Sequence, residues 1–245
     1  MSTIKLILEY DGTAYAGWQR QPNQPTIQEA VEAAIHGVTQ IHVPVMGAGR
    51  TDSGVHALGQ VASFRIDRHM TTREWTRALN AHLPDTIVVR SAALMPDTFH
   101  ARHSAQGKLY EYRILNRPER PALERAYCWH IHQTLDDAAM NEAANILIGS
   151  HDFSSFQTQP TENDDPICHL QQLVVSREGD RLRLEAYADR FLKQMVRSIV
   201  GTLVEVGLGK RAADSFTTIL NARDRSAAGK TAPPQGLFLL RVDYD

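Results

Sequence analysis

At 245 residues the chain can form one large domain or two small ones and bury a substantial core. Its 42% hydrophobic and 22% charged residues are ordinary for a soluble globular protein, and no run is long and apolar enough to span a membrane. The net charge of -2 gives nucleic-acid binding no support by itself.

The elements follow from periodicity. Ile4, Leu6, Leu8 and Tyr10 alternate with polar neighbours as in a strand ended by Asp11-Gly12-Thr13. Thr26-Ile27-Gln28-Glu29 reads as a capping box opening a helix with Ile27, Val31, Ala34, Ile35 and Val38 on one face. Strands are predicted at 43–46 and 60–66, joined by a glycine-rich loop. Thr71-Thr72-Arg73-Glu74 is a second capping box, starting a helix with Trp75, Ala78 and Leu79 inward and a stop near Pro84. Thr86 to Ala93 is a β-branched, apolar strand. This β-α-β-β-α-β order is ferredoxin-like, and it returns. Leu109–Leu115 is a strand, and 134–148 is predicted as a helix with Leu135, Ala139, Ala143, Ile146 and Leu147 inward and Gly149 as its stop. Strands over 170–176 and 182–187 flank a hairpin turn at Glu178-Gly179-Asp180. Helices are predicted over 191–206 and 211–222, and 236–244 closes the chain as a strand. The fold class expected is therefore α+β: two ferredoxin-like halves, 1–104 and 105–245. Two such sheets side by side would leave a cleft between them. The polar, acidic stretch 157–165 is expected to be a mobile insertion.

Chemistry concentrates in Gly47-Ala48-Gly49-Arg50-Thr51-Asp52-Ser53-Gly54-Val55-His56-Ala57. Glycine at this density permits positive φ or close approach to a ligand. Asp52 in such a turn can simply cap its own backbone. The neighbouring Arg50 instead favours an ionised carboxylate and a ready nucleophile, unless the two form a surface salt bridge. Tyr110 and Tyr112 share a strand face with Lys108, a platform for a flat ring and a phosphate or else a half-buried sheet face. Lys193 and Arg197, four apart on the predicted helix, and the preceding Arg190 make a basic edge. Twenty-one of the 26 basic residues are arginine, whose fork suits phosphate and carboxylate, although genomic base composition explains the same bias.

Several chemistries are excluded. Gly47-Ala48-Gly49 has Asp52 where a dinucleotide fingerprint needs its third glycine, and Gly209-Lys210 is followed by Arg211 rather than Ser or Thr. His130-Ile131-His132 gathers no Cys or carboxylate at a metal-ligand spacing, so no metal is expected. Cys128 and Cys168 form no CxxC pair or disulfide framework, and Met1–Lys5 has no signal-peptide character, which suggests a reducing, cytoplasmic setting.

Gly49–Ala57 resembles the active-site signature of the tRNA pseudouridine synthase A family. Lys108–Tyr112, Phe191–Gly201 and Ala232–Leu237 are similar to that family's later motifs, and Tyr10–Thr13 with Gly17–Gln19 fit its opening. The resemblance spans essentially the whole chain, in the expected order. It implies two ferredoxin-like halves whose mainly antiparallel sheets join, with the active cleft between them. It implies isomerisation of uridine to pseudouridine at positions 38, 39 and 40 of the tRNA anticodon arm, without metal or cofactor, by a homodimer. Asp52 would be the nucleophile, attacking ribose C1′ or base C6 once the base leaves its stack. Tyr110 would stack on the uracil and help remove the C5 proton. Arg197 would pair with Asp52 and keep it ionised, and Arg50 would displace the target nucleotide and hold its phosphate. Ser53, Arg190 and Lys193 depart from the family pattern, which has alanine, glycine and tyrosine there.

Two other classes fit parts of the sequence. A non-catalytic RNA-binding module would need no carboxylate at the cleft, and the RRM consensus is absent. A glycoside hydrolase would need a second acid near Asp52, and Glu111 faces away from Tyr110 on its strand.

Overall fold

In a computed structural model the chain is described over residues 1–159 and 165–244. Residues 160–164, within the predicted mobile insertion, lie outside the described residues. The chain divides into two compact units, 1–106 with 238–245, and 107–237.

The first unit runs β1 (Ser2–Tyr10), α1 (Ile27–Thr39), β2 (Met46–Gly47), β3 (His56–Ile66), α2 (Thr72–Asn80) and β4 (Ile87–Met95). Its strands lie in the order β4-β1-β3-β2, every neighbour antiparallel. Ile4, Leu6, Leu8 and Tyr10 of β1 are buried, as the alternation requires, and so are Ile27, Val31, Ala34 and Ile35 of α1 and Trp75 and Leu79 of α2. The two capping boxes differ. At α2, Thr71 Oγ1 accepts from Glu74 N–H while Glu74 Oε2 accepts from Thr71 N–H at 2.8 Å. At α1, Thr26 caps Glu29 N–H, but the Glu29 carboxylate lies 3.6 Å from Arg20, so the predicted box is one-sided. Asn80 stitches the end of α2 to β4, donating to Val89 O at 2.9 Å and accepting from Val89 N–H at 2.7 Å.

The second unit contains β5 (Gly107–Asn116), β6 (Trp129–Ile131), α3 (Asp137–Asn145), β7 (Gly149–Asp152), β8 (Ile167–Glu178), β9 (Arg181–Ala188), α4 (Met195–Gly207) and α5 (Ser215–Ala222). Its strands run β5-β9-β8-β7, with β6 beside β5. The predicted β8–β9 hairpin turns at Gly179, φ +58°. The closing strand β10 (Leu237–Asp243) aligns with β3 of the first unit through Phe238↔His56 and Leu239↔Ala57. That pairing is parallel, as is β5–β6, so the sheet structure is mixed. Among the described residues no helix is long and apolar enough to cross a membrane.

Three helices start later than the sequence predicts: α5 begins at Ser215 rather than at 211, and the late starts of α3 and α4 have a visible cause. Leu135 is held outside α3 because its N–H donates to Asn116 Oδ1 and its carbonyl accepts from Arg177 at 2.8 Å. Asp136 then caps the helix by accepting from Ala139 N–H at 3.0 Å. At α4, Gln194 adopts φ +60°, and Lys193 O accepts from Thr158 N–H, so Phe191–Lys193 precede the helix. Lys193 and Arg197 therefore do not share a helical edge as the sequence suggested.

Candidate active site

The Asp52 loop spans the turn between β2 and β3 and is tied to the first unit from several sides. Ala48 N–H donates to Val61 O at 2.7 Å, and Trp18 N–H to Thr51 O at 3.0 Å. Val55 N–H donates to the Asp52 carbonyl at 3.1 Å, which closes a tight turn around Ser53-Gly54. Gly54 supplies this turn with φ +75°, whereas Gly47 and Gly49 keep ordinary negative φ. Beneath the loop, Gly17 sits at φ +102°, and a Cβ there would stand 2.5 Å from Thr51 O. Any side chain at 17 would thus push against the residue preceding Asp52. His56 is buried, its Nδ1 accepting from Gly12 N–H at 3.1 Å and its ring stacked on Phe238 at 4.7 Å.

Thr51 is buried, Asp52 half-buried and Arg50 exposed. The Arg50 guanidinium donates through Nε to the neutral Gln19 amide at 3.1 Å. Asp52 and Arg50 are thus brought together on one anchored turn, a carboxylate and a cation at the rim of the unit.

In the second unit, Tyr110 lies on β5 opposite Ala186, 7% exposed, with its ring edge-on to Phe191 at 5.1 Å. Tyr112, on the same face, serves the framework: its hydroxyl donates to Pro233 O at 2.7 Å. Burial raises the Tyr112 phenol far above its ordinary value, only partly opposed by the charge of Arg197. Arg197 on α4 is half-buried and donates through Nε to Ala232 O at 2.9 Å, while Ala232 N–H donates to Arg197 O. The segment Ala232–Pro233 therefore fastens both Tyr112 and Arg197, which gives the closing motif a structural purpose that its sequence did not disclose. Arg190 ties down its own neighbourhood, with Nη2 2.5 Å from Asp165 and Nε donating to Ile167 O. Glu111 is buried and accepts from Arg113 Nε at 2.6 Å, so that carboxylate is neutralised in place.

Sequence reasoning missed Gln60 and, although Tyr10 and Gln19 lie in the opening motif, gave no part to their contacts; all three touch the Asp52 loop from below and beside it. Gln60 carried a signal, a polar residue directly before the apolar run Val61–Phe64. Among the described residues no cluster of three or more His, Cys, Asp or Glu could hold a metal ion.

The family model for tRNA pseudouridine synthase matches residues 6–104 and 143–245. A protein of Afipia carboxidovorans named tRNA pseudouridine synthase A is 48% identical over 245 residues, covering all of both chains. Its namesake in Rhodospirillum rubrum is 47% identical over all of this chain and 88% of its own. Among solved structures, a chain of a Cbf5-Nop10-Gar1 complex aligns at TM-score 0.40 and 11% identity, over 97% of this chain and 58% of that one. With both matched segments together spanning well over half its length, the chain belongs to the tRNA pseudouridine synthase family.

Proposed function

We propose that this protein isomerises uridine to pseudouridine at positions 38, 39 and 40 of the tRNA anticodon arm, with Asp52 as nucleophile. The observation that carries the reading is the anchored turn that holds a half-buried carboxylate at the rim of its unit. The reaction breaks the N1–C1′ glycosidic bond, turns the base, forms a C5–C1′ bond, releases the C5 proton and leaves N1 carrying a proton in its place. Reactant and product are isomers, so no oxidant, reductant or hydrolytic water is consumed. A carboxylate nucleophile divides the exchange into two steps, by adding to C1′ or to C6 and leaving again.

Four side chains serve one nucleotide in this reading. Asp52 attacks, and Arg197 pairs with it to keep it ionised. Tyr110 stacks on the uracil and assists loss of the C5 proton. Arg50 displaces the nucleotide and holds its phosphate, a task suited to a forked, permanently charged donor. Unstacking the base costs a few kcal/mol, which binding along the anticodon arm must supply. The protein acts as a cytoplasmic homodimer on tRNA, with no metal or small-molecule cofactor.

The finer architecture belongs to the same proposal: two ferredoxin-like halves, 1–104 and 105–245. Support comes from the β1-α1-β2-β3-α2-β4 succession and its β4-β1-β3-β2 order. The test uses tRNA tritiated at uridine C5. Wild-type protein releases tritium, and Asp52→Asn releases none while still binding tRNA. Release that survives Asp52→Asn defeats the nucleophile assignment.

A further inference from the structure

Along Gly49–Asp52 the chain divides its groups between two sides. Arg50 is exposed and Asp52 half-buried, whereas Thr51 is 5% exposed and points into the unit. Two side chains from the sheet below receive the inward groups. Tyr10, the last residue of β1, shares a 2.8 Å hydrogen bond with Thr51 Oγ1. Gln60 of β3 donates through Nε2 to Gly49 O at 2.9 Å and to the Tyr10 hydroxyl at 3.4 Å. The orientation of the Gln60 amide follows from chemistry. Its Oε1 accepts from Val61 N–H at 3.1 Å, and the Gly49 carbonyl can only accept, so the NH2 must face it. Gln60 is 0% and Tyr10 3% exposed, so these bonds form out of water, where leaving one unmade is costly. Burial lifts the Tyr10 phenol to about 12 against the opposing pull of its bonds to Thr51 and Gln60, so it stays protonated.

We propose that Tyr10, Thr51 and Gln60 are positioning residues for the isomerisation, a buried network that pins Gly49 and Thr51 so that Arg50 and Asp52 face the substrate. The network touches no reacting atom. It acts by fixing the backbone on both sides of Arg50 and immediately before Asp52. The inference rests on Asp52 being the nucleophile, since a carboxylate that must meet one carbon loses about 100-fold for a displacement of about 1 Å.

Thr51 offers the cleanest test. Thr51→Val keeps the shape and removes the hydroxyl, and Thr51→Ser keeps the hydroxyl. Gln60→Glu keeps the shape and replaces the amide NH2, which donates to both Gly49 O and the Tyr10 hydroxyl, with a carboxyl that has at most one O–H to donate. Each variant is measured for single-turnover tritium release, for tRNA Kd, and for hydrogen exchange in the peptide covering 49–55. Thr51→Val and Gln60→Glu should lower the rate about 10- to 100-fold with Kd within about two-fold of wild type. Exchange in 49–55 should rise, and Thr51→Ser should recover the rate to within about three-fold. A wild-type rate and wild-type exchange in Thr51→Val overturn the proposal, as does a Thr51→Ser variant as slow as Thr51→Val. If Gln60→Glu does not fold, the Thr51 pair decides alone. If the wild type releases no tritium, the isomerase reading fails, and unchanged loop exchange in Thr51→Val then overturns the network separately.

Discussion

Tyr110 and Tyr112 differ by two positions on β5 and by everything that surrounds their hydroxyls. Tyr112 is 0% exposed, and its hydroxyl is spent on Pro233 O. Tyr110 keeps 7% of its surface and packs edge-on against Phe191. Removing the Tyr112 hydroxyl leaves the carbonyl of half-buried Pro233 short of a partner, a loss of about 1–3 kcal/mol. Tyr112→Phe should therefore lower Tm by roughly 2–10 °C for a chain of this size while the folded protein keeps its rate. Tyr110→Phe retains the ring and loses the hydroxyl, to which the proposed mechanism gives the help in removing the C5 proton. Tritium release should fall about 100-fold or more, with Tm and tRNA binding near wild type. Thermal melts and single-turnover release on both variants check the pair, and an exchange of the two phenotypes would reverse the roles given to these tyrosines. At this scale the sequence carried residue types but not their occupation. It put both tyrosines on one face, and only the position of Pro233, more than a hundred residues away, distinguishes them.

Caps show what element-level reasoning reads and what it misses. The Thr71–Glu74 box was legible because both halves of its reciprocal bonding lie within four residues. The hydrogen bonds from Thr71, its backbone N–H first, hold the Glu74 carboxyl below its ordinary value. A carboxyl lowered in the folded state stabilises it above the unfolded pKa of about 4.3, and that contribution disappears as pH falls through the folded value. Glu74→Ala should therefore melt below wild type near neutral pH, and the gap should close as pH falls through the folded carboxyl's lowered value. A gap independent of pH would show that the carboxylate charge plays no part in the cap. The starts of α3 and α4 were less legible because distant groups set them. Asn116 and Arg177 hold Leu135 out of α3, and Gln194 turns to positive φ before α4. Apolar periodicity runs through such a boundary unchanged, since Leu135 is buried whether or not it is helical. The parallel pairing of β10 with β3 is a long-range match between residues 238 and 56, and it leaves no local pattern to read.

For the whole molecule, net charge and site charge point in different directions. The formal charge of -2 suggests a surface indifferent to RNA. Much of the acidic complement, however, faces arginines within the protein: Glu205 with Arg211, Asp137 with Arg177, Glu111 with Arg113, Asp152 with Arg223. Such pairs cancel in the far field and leave local fields to decide where a polyanion settles. Each unit carries cations whose fields are short-range. In the first, Arg50 is exposed and donates to the Gln19 amide; in the second, Lys193 is exposed ahead of α4 and Lys108 shares its strand face with Tyr110. Each phosphate neutralised releases counterions, giving a log–log salt slope of about -0.7 to -0.9 per contact. Three such contacts give a tRNA affinity that falls with a slope of about -2 to -3, despite the negative net charge. Arg50→Ala should make that slope shallower by about one contact's worth, about 0.7 to 0.9. Arg120→Ala, on an exposed loop, should leave it unchanged. Binding isotherms between about 50 and 200 mM salt measure both, in the concentration range where phosphate contacts dominate the change. A flat dependence in the wild type would mean that tRNA is held by shape and stacking rather than by these cations, and it would remove the phosphate-holding role from Arg50.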